Sequence, residues 1–129
     1  MIELYFNKIF ETLSLSFIIS SFIVSRIRMT DDEGFIRVKC ILSNADVLEF
    51  AEYVKIIHNQ PQLTSYSYHW QRADGILVKR WDNVHHHPEL DGFPHHWHKA
   101  DGTVESSPPM SFQQVLFEIQ TILRTPDGK

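Results

Sequence analysis

Phe35-Ile36-Arg37-Val38-Lys39-Cys40-Ile41-Leu42 is followed by Ser43-Asn44-Ala45-Asp46 and then by Val47-Leu48-Glu49-Phe50-Ala51-Glu52-Tyr53-Val54. In the first run Ile36, Val38, Cys40 and Leu42 take every second place, the period at which a strand sends side chains to one face. The four residues after it supply turn chemistry. Leu48, Phe50 and Val54 then resume the same period, with Glu52 breaking their apolar row, either as a carboxylate on the buried side or as an edge or rim residue. Two alternating runs joined by a short turn predict an antiparallel pair.

The pattern repeats on both sides of this pair. Asn59-Gln60-Pro61 breaks it before Ser65 to Gln71, where Tyr66, Tyr68 and Trp70 share one face and Ser65, Ser67 and His69 the other. Such an aromatic row is more often core than a stacking platform. Ala73-Asp74-Gly75 turns the chain into a strand from Ile76 to Asp82, with Arg80 and Asp82 on the side of Ile76 and Val78. From Asn83 to Pro109 four prolines and two glycines interrupt any period, predicting an ordered loop with one short strand near His96 to His98. Upstream, Phe22 to Met29 is a β-branched run closed by the turn Asp31-Asp32-Glu33-Gly34.

The ends are helical. Ile2, Phe6, Ile9, Phe10 and Leu13 recur at helix spacing, and so do Phe112, Val115, Leu116, Ile119, Ile122 and Leu123, ending before Pro126. Ser111 and Gln114 have capping-box spacing at the start of the second stripe. The expected architecture is α+β: an antiparallel β-meander of about five to six strands flanked by an N-terminal and a C-terminal helix, in one domain spanning 1–129. Only the tail Thr125 to Lys129 reads as dispensable.

Composition bounds the function. With 43% hydrophobic and 22% charged residues the chain is globular rather than disordered. A formal charge of -4 argues against holding nucleic acid by bulk charge alone, although eight histidines counted as neutral can gain protons beside a polyanion. Cys40 is the single cysteine and sits in an apolar alternation, which predicts a core thiol and fits a reducing cytoplasm. The most apolar stretch, Leu13 to Val24, is interrupted by four serines, and Glu3 and Glu11 precede it. Neither export nor membrane insertion is expected.

Six of the eight histidines fall between His85 and His98. In extended chain His85 shares a face with His87 and His96 with His98, while His86 and His95 face the other way. One chemistry for this set is a metal site, in which His96, His98 and His87, with Asp82, Glu89 or Asp91, hold a divalent ion such as Zn²⁺. The other needs no cofactor: one imidazole takes a proton from a ribose 2′-hydroxyl, another protonates the leaving oxygen, and Arg80 grips the phosphate. Trp81, Trp97, Tyr66 and Tyr68 would then stack bases. Against both stands the plainer possibility that Arg80 and Asp82 pair with each other and that individual histidines brace the loop.

At Tyr66-Ser67-Tyr68-His69-Trp70-Gln71, Arg80-Trp81-Asp82-Asn83, His86-His87-Pro88-Glu89-Leu90 and Phe93-Pro94-His95-His96-Trp97-His98 the sequence resembles the TumE-type toxin family of bacterial and archaeal type II toxin-antitoxin systems. The likeness extends through Tyr5-Phe6, Glu11-Thr12-Leu13 and Phe50-Ala51-Glu52-Tyr53-Val54 to the final helix. It departs from the family at Val84-His85, where Ala-Pro is frequent, and at Ser43-Asn44-Ala45-Asp46, where an Asp-Gly turn is more usual. The resemblance implies a toxin restrained by a helix-turn-helix antitoxin. By position, it marks His69, Arg80, Asp82, Asn83, His86, His87, His95, His96 and His98 as the site.

Taken with the residue types, the expectation is an endoribonuclease with His69, Arg80, Asp82, His87, His96 and His98 as catalytic groups and Trp81, Asn83, His86, His95 and Trp97 as binding groups. In that scheme RNA is the substrate, and His96→Ala abolishes toxicity without unfolding the chain. A Zn-type hydrolase and a non-enzymatic protein-binding module are the alternatives.

Overall fold

Alternation becomes pleat in a computed structural model that describes residues 1–85, 90 and 92–124. Helix α1 (Ile2–Leu15) leads into β1 (Ile19–Met29), β2 (Glu33–Leu42), β3 (Val47–Ile57), β4 (Gln60–Gln71), β5 (Leu77–Asp82), β6 (His96–Lys99) and β7 (Val104–Ser106), and α2 (Phe112–Leu123) follows. The strands form one sheet in the order β1-β2-β3-β4-β5-β6-β7, each antiparallel to its neighbour. The expected α+β meander between two helices is thus present, with seven strands in place of five or six. The additional strand, β7, has three residues, too few to display a period in the sequence. Proposed breaks at the tail Thr125 to Lys129, Pro126 included, lie outside the described residues.

Hairpin geometry explains a second difference. Asn59-Gln60-Pro61 does not end the strands: β3 and β4 run up to a two-residue turn at His58 and Asn59, whose φ angles of 52° and 62° suit the twist of a tight hairpin. Pro61 is the second residue of β4, near the strand end where a missing N–H is tolerated.

Both helices cover the same face of the sheet. Ile2, Phe6, Ile9 and Leu13 of α1 and Phe112, Val115, Leu116 and Ile119 of α2 join Ile36, Val38, Cys40, Leu42, Leu48, Phe50, Tyr68, Trp70 and Trp81 in one core. The alternate residues form an open face. Gly34 of β2 lies directly beneath α1, and a Cβ there would come within 2.7 Å of the Ile2 side chain. Cys40 is fully buried, and burial pushes its thiol up to about 12, which leaves it inert as a nucleophile. Ser111 caps α2 through the predicted box: its side chain accepts from Gln114 N, and the Gln114 side chain accepts from Ser111 N. No helix among the described residues is long and apolar enough to cross a membrane.

Glu52 is inside, not at a rim. It is 1% exposed on the helix-covered face, and three elements converge on it. The Tyr5 hydroxyl of α1 donates to Oε1 at 2.6 Å, while the Tyr68 hydroxyl of β4 at 2.6 Å and the Phe112 N–H of α2 at 3.2 Å donate to Oε2. Burial raises the carboxyl pKa, and the three donors only partly offset that rise.

A folded-state pKa above the unfolded value means that stability is full at low pH and is lost as pH rises past the ordinary value of 4.5. Urea unfolding of wild type and Glu52→Gln should therefore show the wild type losing ground to the variant between pH 4.5 and neutrality; a constant difference would refute the shift. Ala45 sits at φ 76° in the β2–β3 turn, where a Cβ is strained. Ala45→Gly should raise the unfolding free energy by about 1 kcal/mol in the same assay.

Candidate active site

Strand register, not loop chance, assembles the polar residues on the open face. Across β4, β5, β6 and β7 the pairings align Ser67, Asp82, His96 and Ser106 in one row, and His69, Arg80, His98 and Val104 in the next. Arg80 and Asp82 are two apart on β5, and His96 and His98 two apart on β6, so each pair keeps to one face.

Asp82 is the hub. Its Oδ1 lies 2.8 Å from His96 Nε2 and accepts from Val84 N at 3.1 Å, and its Oδ2 accepts from Arg80 Nε at 3.0 Å and lies 3.3 Å from His98 Nε2. Asp82 and His96 are each 1% exposed, whereas the side chains of Arg80 and His98 keep 34% and 23%. His96 directs Nδ1 at the Pro94 carbonyl, 2.9 Å away; since that oxygen only accepts, Nδ1 carries a proton. The other nitrogen, Nε2, faces the Asp82 carboxylate.

His69 is ordered differently. Arg80 Nη1 donates to its Nδ1 at 3.2 Å, and its Nε2 donates to Gln71 Oε1 at 3.1 Å, which is the neutral tautomer with a lone pair on Nδ1. Burial first, and then the Arg80 charge, lower its pKa. Burial also lowers that of His98, with the Asp82 charge pulling the other way.

The structure therefore brings together His69, Arg80, Asp82, His96 and His98. His86 and His87, with Glu89 and Asp91, lie outside the described residues. His95 turns away from the rows: it stacks on Tyr66 at 5.8 Å and its Nδ1 meets the Tyr66 hydroxyl at 2.8 Å. That hydroxyl stays protonated, burial having pushed it up to about 12, so His95 reads as a brace for the loop. Asn83 is a brace too, its Oδ1 accepting from Tyr66 N at 2.9 Å and its Nδ2 donating to Thr64 O at 3.0 Å.

The proposed stacking residues need correction. Tyr66, Tyr68 and Trp81 are at most 5% exposed and belong to the core, because their strand parity is that of the helix-covered face. Trp97 pairs with Trp81 on that side, and Lys79 Nζ lies 3.8 Å from its ring centroid while also pairing with Glu118 of α2. The aromatics that the open face does offer are Phe35 and Tyr53, register partners on β2 and β3. They border a groove of about 400 Å³ that reaches Arg80, Asn83 and His85. Sequence reasoning followed the apolar half of Phe35 to Leu42 and missed what its other half carries: Phe35, Arg37 and Lys39.

The model of a family described as Toxin TumE matches residues 8–125. No curated protein matches the chain, and no solved structure does.

If Asp82 is the hub, removing it leaves the His96 ring and the Arg80 guanidinium facing a hole. Asp82→Ala should lose about 3 kcal/mol or more of unfolding free energy, the scale for breaking a buried ion pair from one side. Thermal melts that coincide with wild type would show that Asp82 is not the organising group.

Proposed function

The chain belongs to the TumE toxin family, and on that premise we propose that it arrests growth as an endoribonuclease acting from the open face of β4, β5 and β6. One observation carries the reading. Arg80 sits between His69, at 3.2 Å, and Asp82, at 3.0 Å, with His98 its register partner on the next strand. A half-exposed guanidinium flanked by two imidazoles is what transfer of a phosphodiester from its 5′-oxygen to a 2′-oxygen requires: one charged fork and two proton carriers.

The steps follow from the hydrogen bonds. Arg80 Nη1 occupies the lone pair of His69 Nδ1. A phosphate that draws the guanidinium to itself frees that lone pair to take the 2′-hydroxyl proton. The 2′-oxygen attacks phosphorus, the bond to the 5′-oxygen breaks, and His98, its Nε2 held by Asp82, protonates that leaving oxygen from Nδ1. The arriving anion favours the imidazolium form of His98. The products are a 2′,3′-cyclic phosphate and a 5′-hydroxyl. His96, 1% exposed, is a positioning residue beneath Asp82 rather than a group that meets substrate, so His96→Ala tests stability as much as chemistry. A cognate antitoxin of helix-turn-helix type would restrain the toxin.

A second reading, a divalent-metal hydrolase, is favoured by a separate observation. Ligand atoms of Asp82, His96 and His98 all lie within 4.8 Å of one another. The Nδ1 contact of His96 to a carbonyl is the outer-shell bond that metal-bound imidazoles usually make. His87, the third histidine suggested for such a site, lies outside the described residues. Bonds of about 2.0–2.1 Å to a tetrahedral ion put neighbouring ligand atoms about 3.3 Å apart, close to the His98 to Asp82 spacing of 3.3 Å.

Defined RNA incubated with the purified chain separates the two. The acid-base reading expects chelator-resistant cleavage with 2′,3′-cyclic ends, falling about 10²- to 10⁴-fold in His69→Ala and in His98→Ala while both variants melt like wild type. Near-stoichiometric bound metal with chelator-sensitive cleavage would replace it with the metal reading. Absence of cleavage under either condition would leave a toxin that acts by binding alone.

A further inference from the structure

The open face extends well beyond the two polar rows. Phe35 and Tyr53 stand between two concavities, one of about 400 Å³ that ends at Arg80 and one of about 470 Å³ that ends at Arg28. The two adjoin at Phe35 and Tyr53, which line both, so that concave surface runs across β1 to β5 with aromatic rings at its middle and a guanidinium at each end. Each concavity is of the size that accepts a small ligand.

Charge on this surface opposes that of the whole chain. Register places Arg26 beside Arg37 and Arg28 beside Phe35 on the open face, with Lys39 beside Glu49. Five cations there, Arg26, Arg28, Arg37, Lys39 and Lys55, outnumber two carboxylates, Glu49 and the Glu33 that accepts from the Tyr53 hydroxyl, and Asp82 is already engaged by Arg80. The β1 to β3 part of the face therefore carries a surplus of cations although the chain has a formal charge of -4. The Arg37 to Glu49 ion pair there, at 3.6 Å with both side chains 43% exposed, is of the weak, screened kind that yields readily to a better anion.

Aromatic and cation are also interleaved at short range. The guanidinium carbons of Arg26 and Arg37 lie 5.8 and 6.0 Å from the Phe35 ring centroid. A half-buried ring with guanidiniums over it gives a base a flat π surface once one of these cations swings out to a phosphate. A duplex keeps its bases stacked inward and so offers none of them to these rings.

We infer that the furrow from Arg80 past Phe35 and Tyr53 to Arg28 is the track of a single-stranded RNA, with a base on Phe35, phosphates on Arg37 and Arg28, and the scissile phosphate delivered to Arg80. This rests on the ribonuclease reading for the polarity of the track, but the binding surface itself is testable without cleavage. Phe35, Tyr53, Arg37 and Arg28 act on affinity and lie outside the proton-transfer rows.

The test is fluorescence anisotropy of a labelled single-stranded oligoribonucleotide with 2′-O-methyl groups, which has no attacking hydroxyl, titrated with the whole chain at several salt concentrations. Phe35→Leu keeps apolar volume and removes the flat ring; it should weaken binding about tenfold with an unchanged salt slope. Arg37→Gln should weaken binding and reduce the slope of log K against log salt by about 1. The matching duplex should bind more weakly and ignore Phe35→Leu. Melting curves establish that both variants are folded. Wild-type affinity in both variants, equal sensitivity of duplex and single strand, or no binding by the wild-type chain would each overturn the track. Unmodified RNA then separates this from the preceding proposal: expected binding without cleavage would sink the nuclease and keep the track, while cleavage with a KM unmoved by Phe35→Leu and Arg37→Gln would do the reverse.

Discussion

A single carboxylate under the helices fixes how everything else is placed. Glu52 receives a tyrosine hydroxyl from α1, another from β4 and the first backbone N–H of α2, so both helices and the centre of the sheet share one acceptor. Oriented donors of this kind have few alternative arrangements, because an apolar replacement would leave buried hydroxyls without partners. The position of α2 over β3 to β5 follows. From α2, Glu118 holds Lys79, whose ammonium covers Trp97 on the inner side of β6. The inner faces of β5 and β6 are thereby tied down, and their outer faces are left to present Arg80, Asp82, His96 and His98.

That division of labour between faces is why a site made of scattered residues needs little loop to build it. All five of its members come from positions that alternate with inward-facing residues: His69 between Tyr68 and Trp70, Arg80 and Asp82 on either side of Trp81, and His96 and His98 on either side of Trp97. Packing on one side sets the ring and guanidinium directions on the other to within the play of a side chain. Electrostatics completes the order. A carboxylate 1% exposed is tolerable only while cations and donors surround it, so Asp82 draws Arg80, His96 and His98 toward one point.

Much of this was legible in the sequence, for reasons that particular residues make plain. Ile36, Val38, Cys40 and Leu42 are buried as their period implied, Tyr66, Tyr68 and Trp70 are core, and Ser111 with Gln114 caps α2. Parity also predicted that His96 and His98 share a face and that Arg80 and Asp82 share another; what it could not supply is that register makes these the same face. Three features were hidden. Glu52 looked like an interruption because its partners lie 47, 16 and 60 residues away. Trp81 and Trp97 looked available because their helix cover comes from α2, far along the chain. Phe35 and Tyr53 went unnoticed because a solvent-side aromatic leaves no periodic signature of its own.

A pleat has only two phases, and here one carries the core and the other the chemistry. Gain or loss of one residue anywhere in Tyr66 to Gln71 or Leu77 to Asp82 would turn Trp70 or Trp81 outward and send His69 or Arg80 into the interior, exchanging hydrophobe for ion across the whole strand. Only the existing irregularities, between Tyr53 and Val54 and between Trp70 and Gln71, can absorb such a step. Length variation among descendants of this chain is therefore confined to its turns and these irregularities, and elsewhere two strands that tolerate many substitutions tolerate almost no insertion or deletion.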